Sequence, residues 1–348
     1  MNFASDNWAG ATPEVMAALG RASDGFAPAY GNDALTQRVT ARFAALFERK
    51  VEVWFTATGT ASNSLGLAAL SRPGGLVLCS SEAHITTDEW GATEFQSGGM
   101  KLIALPQVAG KLQPRDVAEA LGRYPAEGRF GTPVALSLTN ATELGTVYRP
   151  AEIAALTAPA RAAGLAVHLD GARFGNAVAA TGASPADLTW RSGVDLMSFG
   201  GTKNGCWAAE AIVVFAPDRL RDLAARRQRA GQTFSKARFV AAQFEAYLAD
   251  GNWLRWAGHA NAMAERLRAG LRASNRARLG WESEANEVFA VLPATSVAAI
   301  RAAGGSLHEW PADSLPAGQR PEAGEMLVRL VTSWASSADE VERLLSML

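Results

Sequence analysis

Between residues 51 and 215, short apolar runs alternate with longer helical patterns, and few folds accept that alternation. Runs at 51–55, 76–79, 101–105, 134–138, 166–169, 195–199 and 211–215 carry mostly apolar side chains without a polar alternation. Strands of that kind belong to a sheet covered on both faces. Helical patterns fall between them at 61–70, about 86–97, 115–123 and 151–163. The order predicts βα units and a mostly parallel sheet. Another helix is predicted over 33–49. There Leu35, Val39, Phe43 and Leu46 recur at spacings of four, four and three, behind Asn32 and Asp33 as candidate caps.

The remainder reads differently. Residues 218–229, 234–249 and 252–273 are helical in pattern. Strands at 288–292 and 327–330 then mix with helices at 297–303 and 338–347, punctuated by Gly304-Gly305, Pro311, Pro316 and Pro321. That predicts a large α/β domain over 1–245 and a smaller α+β domain over 246–348. A chain of 348 residues is also longer than one core usually holds.

Composition narrows the function. With 48% hydrophobic and 19% charged residues the chain can bury a sizeable core. A net charge of −1 offers no broad basic surface, so nucleic acid is not expected as a partner. No stretch approaches the roughly 20 apolar residues of a membrane span. Met1 to Asp6 lacks the basic and apolar regions of a signal peptide. Cys79 and Cys206 alone make neither a disulfide framework nor a zinc site. No metal site and a cytoplasmic location are therefore expected.

Two segments carry most of the chemistry. Lys203 sits in Ser198-Phe199-Gly200-Gly201-Thr202-Lys203-Asn204-Gly205, directly after a predicted strand. Upstream lies His168-Leu169-Asp170-Gly171-Ala172-Arg173. A lysine at the carboxyl edge of a parallel sheet can form a Schiff base with an aldehyde. A carboxylate at the end of an apolar strand can hold a pyridinium nitrogen protonated. Together they describe a site for pyridoxal 5′-phosphate (PLP). The plain alternatives are a surface lysine in a turn and an aspartate that caps one. Arg173 would reach the ring oxygen or a substrate carboxylate as a fixed cation.

Other residues extend the pattern. Thr58-Gly59-Thr60-Ala61 precedes a helix, where backbone N–H groups and the dipole favour a phosphate; simple capping is the alternative. His84, after the second strand, could stack on a pyridine ring and exchange protons near neutral pH. His168, two residues before Asp170, should share its face and buttress it. Arg329, inside the apolar run Val328 to Val331, suggests a buried anion such as a substrate carboxylate. The alternative is an edge-strand arginine facing water.

With these residues in place, the chain resembles the L-threonine aldolases of the β-eliminating lyase group, PLP enzymes of fold type I (aspartate aminotransferase-like). The likeness runs from Ser5-Asp6 through Tyr30-Gly31, Gly59 to Asn63, His84, Asp170 to Arg173 and Lys203 to Arg329. It is nearest the low-specificity and phenylserine-type branch. The resemblance implies Lys203, His84 and Asp170 as catalytic residues. It implies Gly59, Thr60 and Ser198 on the phosphate side, and Ser5, Arg173 and Arg329 on the substrate carboxylate. It further implies a homo-oligomer, a tetramer built as a dimer of dimers, in which Tyr30 and a basic residue reach a neighbouring subunit's site. Arg229, Lys236 and Arg238 are the candidates, with Arg229 taken for the cofactor phosphate. The activity implied is cleavage of L-β-hydroxy-α-amino acids to glycine and an aldehyde.

One departure matters. Many members carry a second active-site histidine after the middle strand, in an Asn-Thr-His type sequence. Here that stretch is Leu138-Thr139-Asn140-Ala141-Thr142-Glu143. The acceptor of the β-hydroxyl proton is left open between His84 and an ordered water. A strict choice between threonine and allo-threonine is correspondingly not expected. β-Elimination or transamination is the alternative within PLP chemistry, and a non-catalytic scaffold that keeps the fold is the alternative outside it.

Overall fold

The computed structural model describes residues 1–126 and 128–348. Seven strands form the large sheet: β1 (Glu52–Thr56), β2 (Gly75–Ser80), β3 (Lys101–Leu105), β4 (Thr132–Thr139), β5 (Ala166–Gly171), β6 (Leu196–Gly200) and β7 (Glu210–Val214). Their order across the sheet is β1-β7-β6-β5-β4-β2-β3. Only β7 runs against its neighbours, so six strands point their carboxyl ends the same way. β2, β5, β6 and β7 are buried along their whole length, as their unbroken apolar runs require.

Helix starts follow the capping residues. The Asp33 carboxylate accepts the Thr36 N–H at 2.8 Å ahead of Ala34–Leu46. The Thr58 hydroxyl accepts the Ala61 N–H at 3.1 Å ahead of Gly59–Ala68. These bonds remove donors that the first turn would otherwise leave unpaired.

Four strands form the second sheet: β8 (Arg278–Leu279), β9 (Glu287–Pro293), β10 (His308–Glu309) and β11 (Glu325–Val331), all antiparallel in the order β10-β11-β9-β8. Its core joins Val288, Ala290, Leu292, Val328 and Leu330 to Leu267 and Leu271 of the long helix Asn252–Ala273. Phe3, fully buried, belongs to this core rather than to the large one. Its N–H donates to the Ser306 carbonyl at 2.9 Å, and its own carbonyl accepts the Val331 N–H at 2.8 Å. The start of the chain is thereby stitched to the second sheet, and Ser5, Asp6 and Asn7 are led toward the first.

Some expected elements end early or are broken. The single helix expected over 86–97 is two short ones, His84–Thr87 and Ala92–Ser97, because Trp90 and Gly91 take left-handed backbone between them. The helix expected over 218–229 is a 3₁₀ turn, Pro217–Arg219, then Leu223–Arg229, divided at the left-handed Asp222. The helix expected from 234 begins at Arg238. Two helices, Pro13–Ala22 and Phe174–Thr181, were not anticipated.

The large core contains an aromatic cluster. Phe199 of β6 meets Phe43 edge-on at 5.1 Å, and Phe43 meets Phe244 at 5.2 Å. Phe244 also stacks on Phe55 of β1 at 5.6 Å, so it ties helix Arg238–Leu248 to the sheet. Phe244 is fully buried. Truncation there leaves a void that rigid strands cannot close. Phe244→Ala is expected to lower stability by about 3–5 kcal/mol, seen as a lower urea midpoint with the secondary structure retained.

Candidate active site

The carboxyl ends of β4, β5 and β6 and the start of helix Gly59–Ala68 meet around two adjoining cavities of about 270 and 550 Å³. Lys203, His84, Asn7 and Glu143 line both, so the cavities form one site with an inner and an outer part. Gly59, Thr60, Asn63, Asp170 and Glu210 line the inner part. Ser5, Arg173, Arg329 and Trp310 line the outer part.

Lys203 lies on the 3₁₀ turn Thr202–Asn204 that follows β6. Gly200 and Gly201 permit this turn for a reason other than ligand approach. A Cβ on Gly200 would lie 2.7 Å from the Ala172 carbonyl oxygen, and one on Gly201 would lie 3.0 Å from that of Ala209. Gly200 lets the lysine turn pack against the aspartate turn, and Gly201 lets it pack against the residue before β7.

Asp170 ends β5 and is almost fully buried. Its Oδ1 accepts the Ala172 N–H at 3.0 Å, and its Oδ2 accepts Asn63 Nδ2–H at 2.7 Å. The same amide donates its other hydrogen to Glu89 Oε1 at 2.8 Å. Glu89 Oε1 in turn lies 2.8 Å from His84 Nδ1. One asparagine thus fixes both carboxylates, and through Glu89 the imidazole. The hydrogen bond to Glu89 raises the His84 pKa above the usual imidazole value and outweighs the opposing effect of burial.

His168 does not buttress Asp170 directly. Its Nδ1 lies 2.9 Å from Ser137 Oγ and its Nε2 lies 3.2 Å from Ser198 Oγ. Burial lowers its pKa to about 4, so the ring is neutral. Ser198, expected on the phosphate side, is therefore a buried partner of His168 and does not line either cavity.

Arg173 is held on two sides. Its Nε and Nη2 donate to Asp6 Oδ2 and Oδ1 at 2.7 and 3.1 Å. Its Nη1 lies 3.2 Å from Glu287 Oε2. Burial alone would lower its pKa, but the Asp6 and Glu287 charges raise it. Arg329 is not on an edge, since β11 lies between β10 and β9. Its guanidinium carbon sits 5.2 Å over the Trp310 ring and its Nη1 lies 3.8 Å from Glu287 Oε1.

Within one chain, Tyr30 and Arg229 do not reach the site. Tyr30 is 61% exposed, with left-handed backbone, and Arg229 is exposed at the end of helix Leu223–Arg229. Lys236 lines a separate apolar hollow with Trp207, Phe234 and Phe239.

Asn63, Glu89, Asp6, Glu287 and Glu210 are site residues that sequence reasoning did not single out. Asn63 and Asp6 sat inside quoted motifs without a role. Glu287 had one signal: a charged residue opening the apolar run that becomes β9.

The inner cavity has what PLP needs. Lys203 supplies an amine, Asp170 a buried carboxylate fixed by two donors, and helix Gly59–Ala68 an N-terminus at the cavity wall, where Thr58 caps the Ala61 N–H and Gly59 and Thr60 line the cavity. Among the described residues, no group of three or more His, Cys, Asp or Glu is placed to hold a metal ion. No described helix is long and apolar enough to cross a membrane.

Comparison with known proteins agrees with this geometry. The family model described as beta-eliminating lyase matches residues 2–294. A low specificity L-threonine aldolase of Pseudomonas aeruginosa is 42% identical over 343 residues, covering 98% of this chain and 95% of the relative. Another of that description, from Pseudomonas sp. strain NCIMB 10558, is 43% identical over 300 residues and 86% of each chain. Among solved structures, a Leishmania major threonine aldolase superposes with a TM-score of 0.91 at 28% identity, covering 99% of this chain and 97% of that one. The chain belongs to the beta-eliminating lyase family and, within it, groups with the low-specificity L-threonine aldolases.

Proposed function

We propose that this protein is a PLP-dependent aldehyde-lyase that cleaves L-β-hydroxy-α-amino acids of the threonine, allo-threonine and phenylserine type to glycine and an aldehyde, reversibly. The single observation that carries the reading is the convergence of Lys203, Asp170, His84 and two arginines on one continuous site. The 42% identity to a low specificity L-threonine aldolase over nearly the whole chain supports the same activity.

Bound PLP supplies an electron sink for the pair released when the Cα–Cβ bond breaks. The chain's own residues do the rest. Lys203 is the amine that holds the cofactor aldehyde. Asp170 would hold a proton at the ring nitrogen, its own oxygens fixed in place by the Asn63 and Ala172 N–H groups. Gly59 and Thr60 take the phosphate at the helix N-terminus. Ser5, Arg173 and Arg329 take the substrate carboxylate on the outer side. That grip presents the scissile bond toward His84, which is half exposed to the cavity. His84 is the acceptor for the β-hydroxyl proton, with Glu89 behind it. Glu143, which lines both parts, lies in the stretch where the resemblance implies a histidine, and Thr142 is buried. Asp170 and Lys203 do not themselves distinguish cleavage from β-elimination; the family grouping favours cleavage.

We read the chain as two domains, 1–245 and 246–348, with the site between their sheets. The assembly we propose is a homo-oligomer, a dimer of dimers, in which a neighbour's Tyr30 and Arg229 complete the phosphate and substrate ends. Exposed Trp8, Phe26, Tyr30 and Trp207 support this reading, since side chains of that size are rarely left in water in such number. A cytoplasmic location fits the two buried, unpaired thiols Cys79 and Cys206.

Three outcomes follow. Wild-type protein supplied with PLP should release glycine from L-threonine, L-allo-threonine and L-phenylserine, and Lys203→Ala should lose both turnover and the bound cofactor's visible absorbance. Pyruvate and ammonia in place of glycine and aldehyde would establish elimination instead. The acid limb of kcat against pH should lie above the ordinary imidazole range, because His84 accepts a proton only once it has lost its own; Glu89→Gln should move that limb to lower pH. Light scattering should give an assembly no smaller than a dimer, and a monomer with full activity would remove the shared-site reading.

A further inference from the structure

Arg173 and Arg329 are the cations offered to a substrate carboxylate, yet both already face carboxylates of this chain. Asp6 is firmly held. It accepts two bonds from Arg173, and its Oδ2 accepts another from Asn286 Nδ2–H at 3.0 Å. Its pKa stays low against the effect of burial because of Arg173 and Lys203. Glu287 is held differently. It is fully buried, and among the described residues neither of its oxygens receives a hydrogen bond of acceptable geometry. It has only proximity: Arg173 Nη1 at 3.2 Å and Arg329 Nη1 at 3.8 Å.

Two cations and two carboxylates balance. A substrate carboxylate makes the set one negative charge in excess, in a place mostly closed to water. Excess buried charge is costly, and protonation is the usual relief. The proton goes to the carboxylate with the weakest hold, and that is Glu287 rather than Asp6.

We infer that Glu287 is a proton acceptor coupled to substrate docking: it yields its share of Arg173 and Arg329 to the incoming α-carboxylate and takes up one proton from solvent, returning it when glycine leaves. The inference rests on the function proposed above. Glu287 is a positioning residue, since it acts through the two arginines.

The surroundings support this role. Burial raises the Glu287 pKa to about 7, with Arg173 and Arg329 pulling down and Glu143 and Asp6 pushing up. Other charged or titratable groups around these elements include Arg268 of the long helix, Glu284 before β9, Glu309 and His308 of β10, the latter paired with Arg329 in register, and Glu82 across the outer cavity. A group poised there is ionised in the empty site above neutrality and neutral in the filled one. Substrate affinity should therefore fall as pH rises past that point.

The test is glycine binding to the PLP-loaded protein, followed by the cofactor's absorbance from about pH 6 to 9, for wild type and Glu287→Gln. The neutral amide imitates protonated Glu287, so the ratio of wild-type to variant Kd should climb about tenfold per pH unit above about 7. Taking the ratio cancels the titration of glycine's own amine. A second measurement needs no variant. Calorimetry of wild type in two buffers of different ionisation enthalpy should show about one more proton taken up with glycine than with glycinamide, which lacks the carboxylate, after allowing for the proton each amine sheds. Parallel Kd curves, or equal uptake for the two ligands, overturn the inference while leaving the aldolase reading intact. No absorbance change with glycine in wild type overturns that reading and this inference together.

Discussion

The Asp6–Arg173 ion pair holds the molecule's parts in register. Its partners are 167 positions apart, and both are buried. Arg173 belongs to the turn after β5, at the middle of the large sheet. Asp6 belongs to a segment whose neighbour Phe3 is woven into the second sheet. Asn286 and Glu287, at the start of β9, close the same cluster. Three distant stretches of chain therefore meet at one guanidinium. Removing one partner of such a pair typically costs about 3–5 kcal/mol, because the other is left buried and uncompensated. Here the loss would also free the two sheets to shift, and the outer half of the site lies between them.

Charge is managed in the same economical way in the inner half. Asp170 and Glu89 are two carboxylates a few ångströms apart, joined by one amide that donates to each. A lysine in place of Asn63 would neutralise them, but it would also compete for the ring nitrogen's partner. A neutral donor can bond to both carboxylates at once, leaving one for the cofactor and one for the imidazole. Two like-charged groups thus serve different ends, separated by what each one faces.

Much of this was legible beforehand. The central strands β2, β5, β6 and β7 announced themselves as apolar runs because they are buried along their whole length, and Asp170, Lys203 and Gly59-Thr60 stand at the carboxyl ends where such sheets bind ligands. Elements set by local backbone were less legible. Helix Phe174–Thr181 begins directly at Arg173, with no conventional cap to mark it. The break at Trp90 lies in left-handed backbone that a tryptophan seldom adopts. Ser198 lies on the same face as its register partner Asp170 and as His168, so its hydroxyl meets His168 within the sheet rather than lining the cavity. Asn63's bond to Glu89, and the roles of Asp6 and Glu287, lie in contacts across 26, 167 and 114 positions, and no local pattern encodes those.

Burial of Cys79 and Cys206 has a meaning beyond packing. Burial raises the Cys79 thiol to about 11, and burial together with the Glu210 charge pushes Cys206 well up, so neither presents a thiolate. An aldehyde is a product of the proposed reaction, and aldehydes add to thiolates and primary amines. The chain has only five lysines, Lys50, Lys101, Lys111, Lys203 and Lys236, among its 33 basic residues; the rest are arginines. Guanidinium groups stay protonated and are poor nucleophiles. The protein is thus sparing with every side chain its own product could modify, apart from the one amine whose task is to meet an aldehyde.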